Sequence, residues 1–298
     1  RESAFAAAIA ETEQADGINL LFSLPILEKL LAGGRRNRTQ AETLQGQFAE
    51  NLKRKLTQAD FKQIPRLEIQ IRNALYRLCL TRAFLLKEQM WFLLVRERTG
   101  YGVRLLFAGI QKRYGFTDSE LESCLQSKNA QVRLLALQEK YERLQNSWPE
   151  LERMLLDKAA RIRFWVRYIL IRHEKKDILV FYKAELQKAA TPICLRCIGE
   201  TGSDADIGLI ESYLSVSDYR LVKAALFAYA EIRKEEGADL YWDYLTGEDR
   251  RLCRAAYKII RSYHVHYPEK RLYETFVQYR GEERESVFLT LLLRRNSW

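Results

Sequence analysis

Apolar positions recur along this chain with a spacing of thirty residues. Val132, Ile162, Pro192, Val222 and Leu252 are each thirty apart, and each opens a run that reads as a helix. In three of the five the next residue is basic: Arg133, Arg163 and Lys223. A fixed period in the range of about 20–50 residues is the mark of stacked repeats, in which each unit buries its apolar face only against its neighbours. The pattern therefore predicts an all-α solenoid before any single helix is placed.

The unit with the clearest punctuation runs from Leu195 to Tyr229. A helix is expected to end at Gly199, whose missing side chain suits a left-handed cap. A turn follows at Gly202 and Ser203, after which Asp204 or Asp206 can cap the next helix. Ile207, Ile210 and Leu214 form one apolar stripe on that helix. Asp218 opens a further helix with Val222, Ala225, Leu226, Tyr229 and Ile232 inward, and Ala224, Ala225 and Ala228 allow close helix approach. Other copies keep the spacing and lose the glycines: Asn129 precedes Val132, Asp157 precedes Ile162, and Gly247 to Asp249 precede Leu252. Ile71-Arg72 and Val103-Arg104 fit as degenerate earlier copies. In the third copy Pro192 takes the apolar slot, where the first turn of a helix tolerates a missing N–H.

This stretch resembles the HEAT repeat family, in particular the short HEAT-like repeats also found in phycobilisome lyases. Cys197-Ile198-Gly199-Glu200-Thr201-Gly202, Leu209-Ile210 with Leu214, and Asp218 with Val222-Lys223-Ala224-Ala225 carry the likeness over about one and a half repeats. It implies a right-handed superhelix of helix pairs, clearest over residues 121–262 within a solenoid spanning 61–298. It also implies that second helices line the concave side. Residues 1–60 do not fit the period. Glu2–Glu13 reads as an Ala-rich helix, Leu24–Leu31 as a short amphipathic segment stopped by Gly33-Gly34, Arg35–Arg38 as a basic loop, and Ala41–Ala59 as another helix. This region is expected to serve as an end cap or a docking segment.

Charge changes the picture more than composition does. The chain has 298 residues, 47% of them apolar, with only five prolines and a formal net charge of +10, which suits a folded helical protein and not a disordered one. The excess is uneven: residues 61–120 carry eleven Lys/Arg against five Asp/Glu, while residues 181–240 carry seven against ten. A basic chain is drawn to acidic protein, nucleic acid or anionic membrane. Five cysteines inside apolar stretches, an odd number, point to free thiols in a reducing, cytoplasmic setting. No apolar run is long enough to span a bilayer. The chain begins at Arg1 and not at Met, which leaves an upstream anchor open, and membrane association through Arg35–Arg38 is a third option.

Arg72, Arg104, Arg133, Arg163, Lys223 and Arg254 would recur once per repeat as a ladder able to meet phosphates or carboxylates. The competing role is internal, since in HEAT-like units this Arg commonly bonds the Asp before its helix. Arg167, four residues after Arg163, is the cation the repeat explains least. Arg133, Arg163, Arg167 and Lys223 are the expected contact residues of a non-catalytic scaffold that binds a protein partner. The alternative is a basic nucleic-acid-binding protein, including an enzyme like the HEAT-like alkylpurine DNA glycosylases, with Trp242-Asp243 as its candidate pair. Cys194-x-x-Cys197 reads as packing, because the further ligands of a zinc site are missing. His173-Glu174 resembles one pair of the deoxyhypusine hydroxylases, which need four such pairs, and the chain has three histidines. No metal, cofactor or catalytic residue is expected.

Overall fold

A computed structural model describes residues 15, 17–32 and 38–295. All regular structure among them is helical. The expected helix at Glu2–Glu13 and most of the Arg35–Arg38 loop lie outside the described residues. The chain divides into two compact units on either side of Asn146 and Ser147.

The first unit contains α1 (Gly17–Phe22), α2 (Leu24–Ala32), α3 (Arg38–Lys55), α4 (Gln58–Gln63), α5 (Ile69–Thr81), α6 (Lys87–Arg96), α7 (Gly100–Arg113), α8 (Asp118–Leu125) and α9 (Ala130–Leu144). The sequence boundary was expected near residue 60, but α1 and α2 pack on α5 inside this unit, and Glu28 pairs with Arg77. The helix expected over Ala41–Ala59 is interrupted. Thr57 accepts from the Asp60 N–H while Asp60 accepts from the Thr57 N–H, a capping box that starts α4 afresh. Further on, α6 packs on α7 and α8 on α9; the second members of these pairs, α7 and α9, stack on each other, and α5 stacks on α7.

The second unit begins with a 3-10 turn at Leu151–Leu156. It continues with α10 (Ala160–Glu174), α11 (Ile178–Lys188), α12 (Pro192–Thr201), α13 (Ile207–Glu211), α14 (Tyr219–Arg233), α15 (Ala238–Thr246), α16 (Arg250–Ser262), α17 (Glu269–Gln278) and α18 (Glu285–Arg295). Neighbours pair again: α11 with α12, α13 with α14, α15 with α16, and α17 with α18. Along the second helices, α12 packs on α14 and α14 on α16. At its C-terminal end the core gathers Trp242, Tyr267 and Phe288, with Ile259 and Leu245 beneath them.

The caps follow the local chemistry. Asn129, Asp177, Asp218 and Asp249 each accept from an N–H in the first turn of the helix they precede. Copies that lack a terminal glycine still turn sharply, because Gln145 and Lys175 adopt the left-handed conformation themselves, at φ 49° and 51°. All five residues of the thirty-residue series lie in the first turn of a helix. Val132, Ile162 and Val222 are buried, Leu252 is half-buried and Pro192 is exposed. Pro192 is the first residue of α12, whereas Ile162 is the third of α10. The inward slot in α12 is therefore taken by Cys194 and Leu195.

Two expectations around Gly199 need correction. The helix does not end there but continues to Thr201, with Gly199 inside it. A Cβ at Gly199 would lie 2.5 Å from the Ala228 Cα and 2.9 Å from its carbonyl oxygen. Gly199 is thus required by the close crossing of α12 and α14, not by a left-handed cap. The next helix is also shorter than the Ile207–Leu214 stripe suggests. It stops at Glu211, and Asp206 binds back to Ser203 and to Lys183, at 2.5 Å, without capping that helix.

Candidate functional site

The recurring arginine folds back onto its own repeat. Arg133 Nη1 donates to the carbonyls of Ser127 and Lys128, at 2.7 and 3.2 Å. Arg163 Nη1 donates to the Asp157 carbonyl at 2.6 Å, and Arg72 Nη1 to the Leu67 carbonyl at 2.5 Å. Each guanidinium ties down carbonyls in the turn before its helix, groups that lie outside the helical hydrogen-bond ladder. The acceptor at Asp157 is the backbone oxygen. Its carboxylate instead accepts from the Ala159 N–H. Arg104, Lys223 and Arg254 are exposed and make no such bond. A lysine lacks the planar fork that reaches several acceptors from one side chain.

Arg163 goes further. Its side chain is 2% exposed, and its Nε and Nη2 both donate to Glu200 near the end of α12. Arg167, one helical turn on, donates from Nη1 to Glu200 Oε2 at 2.7 Å, the oxygen that also accepts from Arg163 Nε. The structure therefore brings Arg163 and Arg167 together on one carboxylate and leaves Arg133 and Lys223 apart from them. Burial keeps Arg163 away from any partner's surface, which corrects its expected contact role. Burial alone would push the Glu200 carboxyl up, but hydrogen bonds from Arg163 and Arg167, and their charges, hold it below the ordinary carboxylate range.

Glu97 in the first unit is held in the same manner. It accepts from Tyr76 Oη at 2.9 Å, Arg72 Nε at 3.1 Å, and the Thr99 N–H and hydroxyl at 2.8 Å each. Burial pushes this carboxyl up as well, and the bonds from Thr99, Tyr76 and Arg72 bring it down. Both carboxyls have a folded-state pKa below the unfolded value of about 4.3. Their contribution to stability is complete above that value and is lost as pH falls through the folded-state value. Urea midpoints are expected to be flat from neutral pH to about 5 and to fall below about 4.3. The fall should be shallower in Glu200→Gln; an identical acid profile for that variant would contradict the assignment.

What Arg163 and Arg167 anchor from beneath is the outer face of α10. Phe164, Tyr168 and Ile171 are 61%, 41% and 54% exposed, at positions i, i+4 and i+7. Arg161, Arg172 and Lys175 are exposed on the same third of the circumference, and half-buried Trp165 meets Tyr168 edge-on at 5.8 Å. Arg172 donates to Tyr168 Oη at 2.6 Å. The cations span about 21 Å from residue 161 to residue 175 at the helical rise. The sequence reading missed this stripe. Its signal was present in Ile162, Phe164, Trp165, Val166, Ile169, Leu170 and Ile171, more apolar residues than one helix face can bury.

The other candidates resolve as packing. Cys194 and Cys197 are buried free thiols; burial pushes the Cys197 thiol up to about 11, and its sulfur faces the Leu155 carbonyl. Trp242 is 7% exposed, between Tyr267, Phe288 and Arg271, so it offers no platform for a nucleotide. No group of His, Cys, Asp or Glu among the described residues could hold a metal ion. No helix among them is long and apolar enough to cross a membrane. Compared with known protein families, curated proteins and solved structures, the chain matches none.

Proposed function

We propose that the chain is a non-catalytic scaffold, a right-handed HEAT-like solenoid, that docks an acidic polypeptide segment on the outer face of α10. The observation that carries this reading is the Phe164–Tyr168–Ile171 stripe set among Arg161, Arg172 and Lys175. Apolar anchors at i, i+4 and i+7 suit the apolar face of an amphipathic helix, and cations along the stripe select carboxylates on that helix. The pairing of neighbouring helices and the stacking of α12, α14 and α16 support the solenoid. Arg163 and Arg167 act beneath the site as positioning residues, while Lys223 and Arg133 remain surface or turn residues outside it. Five buried free thiols support a reducing, cytoplasmic location.

Labelled amphipathic peptides of one length and apolar pattern, with either Glu or Lys on the polar face, test the reading by fluorescence anisotropy. The acidic peptide is expected to bind at least about tenfold tighter than the basic one. Phe164→Ser/Ile171→Ser is expected to remove at least about tenfold, since each buried anchor contributes on the order of 1.5–3 kcal/mol. Equal binding of both peptides, or no change in the variant, would overturn it.

A further inference from the structure

Five of the eleven basic residues between 61 and 120, together with Lys128, line one cleft in the first unit, and one of the five, Arg72, is paired with Glu97. This cleft, of about 1240 Å³, is lined by Lys62 from α4, Arg66 from the turn after it, Arg96 from the end of α6, Arg98 from the α6–α7 turn, and Lys128 from the α8–α9 turn. Lys62, Arg66, Arg96, Arg98 and Lys128 are exposed, and none of them forms an ion pair among the described residues. The carboxylate in the lining is Glu97, already occupied by Arg72, Tyr76 and Thr99, so it does not cancel the exposed charge. Five unpaired cations converging on one recess repel one another, and an anion relieves that repulsion. The N-termini of α7 and α9, helices of 14 and 15 residues, open from these same turns and add partial positive charge.

The lining also holds flat groups. Trp91 is half-buried on its wall. Arg96 lies over the Phe92 ring at 3.6 Å, which fixes its guanidinium plane. The guanidinium edge suits carboxylate and phosphate alike, but the faces of Trp91 and Arg96 offer stacking, which a nucleobase uses and a carboxylate does not. A duplex keeps its bases inside and could offer this cleft only phosphates. We propose that the cleft binds single-stranded nucleic acid, with phosphates on Lys62, Arg66, Arg98 and Lys128 and a base against Trp91 and Arg96. This site is in the first unit and does not depend on the docking role of α10.

The test uses the full chain and a fluorescein-labelled twelve-nucleotide oligothymidylate, read by anisotropy across a salt series. Four phosphate contacts predict a slope of log K against log salt of about −3 for a single strand, and Arg98→Gln/Lys128→Gln should make it shallower by about 1.4. These residues are exposed, so loss of folding does not confuse the result. The same variant should weaken binding at least tenfold at low salt, while Phe164→Ser/Ile171→Ser should leave it unchanged. Trp91→Leu should weaken binding about tenfold with a preserved salt slope, and bound strand should quench a tryptophan signal that this variant lacks. Helical circular dichroism checks that Trp91→Leu is folded. A duplex competitor, or polyphosphate or poly-glutamate matched for charge, is expected to displace the strand at least tenfold less well. The proposal is overturned by absence of binding at low salt, by a salt slope indifferent to Arg98 and Lys128, or by competitors that match the strand.

Discussion

Replacing Glu200 by Ala is expected to destabilise the second unit by about 3–5 kcal/mol, because it strips the carboxylate from the buried Arg163 guanidinium and from the half-buried Arg167 beside it. Arg163 is almost wholly enclosed, and both of its Glu200 bonds vanish together with the Arg167 bond. The remaining bond from Arg163 to the Asp157 carbonyl does not balance a full charge. A domain of this size has about 5–15 kcal/mol of stability in total, so a loss on that scale should populate unfolded chain near body temperature. Urea denaturation followed by helical circular dichroism measures it. Glu200→Gln keeps the shape and some hydrogen bonds, and should fall between wild type and Glu200→Ala. The combined variant Arg163→Met/Arg167→Leu/Glu200→Leu should recover most of the loss, because an apolar set of similar volume carries no desolvation penalty. If Glu200→Ala shifts stability by less than about 1 kcal/mol, the buried charge cluster is not what holds α10 to α12.

The second large effect concerns two glycines in the same unit that should respond in opposite directions to the same substitution. Gly199→Ala gains helix propensity worth about 1 kcal/mol and still should destabilise by about 2 kcal/mol or more. The added methyl would meet the Ala228 backbone, which has no flexible end to move aside. Gly208, in α13, has nothing within 4 Å of its would-be Cβ. Gly208→Ala should therefore stabilise by roughly 0.5–1 kcal/mol through propensity alone. Thermal melts of the two single variants decide the matter. Stabilisation in both would mean that α12 and α14 do not cross as closely as Gly199 and Ala228 indicate.

Much of the fold was legible because it is written locally. Asn129, Asp218 and Asp249 cap where their side chains and the following apolar runs say they should. Ile71, Val103, Val132, Ile162 and Val222 are buried near the start of their helices, as a repeat demands. Pro192 misled because it matches the spacing by number while its helix starts two residues later in register. Gly199 misled because one residue type serves two purposes, left-handed backbone and close approach, and only a neighbour's position tells them apart. The break at Thr57 was legible in principle from the Thr57-x-x-Asp60 spacing, which was passed over in favour of a longer helix.

The site was less legible, since a sequence lists cations but not their partners. Arg163 read as one rung of a ladder and Arg167 as the cation the repeat explains least, and one carboxylate 37 residues beyond Arg163 claims both. Glu200 itself gave no sign of this role, because its spacing to Arg163 fits no helical rule. The same holds in reverse for Lys62, Arg66, Arg98 and Lys128, scattered in number and brought to one cleft by α4 and by the turns that precede α5, α7 and α9.

By itself the sequence determined the all-helical class, the caps at Asn129, Asp218 and Asp249 and the thirty-residue beat, because periodicity and capping act within a few residues along the chain. It also determined that positive charge would be concentrated between residues 61 and 120. Only the tertiary structure decided which arginines are consumed inside the protein and which face outward, and that Phe164, Tyr168 and Ile171 remain uncovered. The reason is physical: the fate of a charge or an apolar ring depends on what lies within a few ångströms, and those neighbours come from distant parts of the chain.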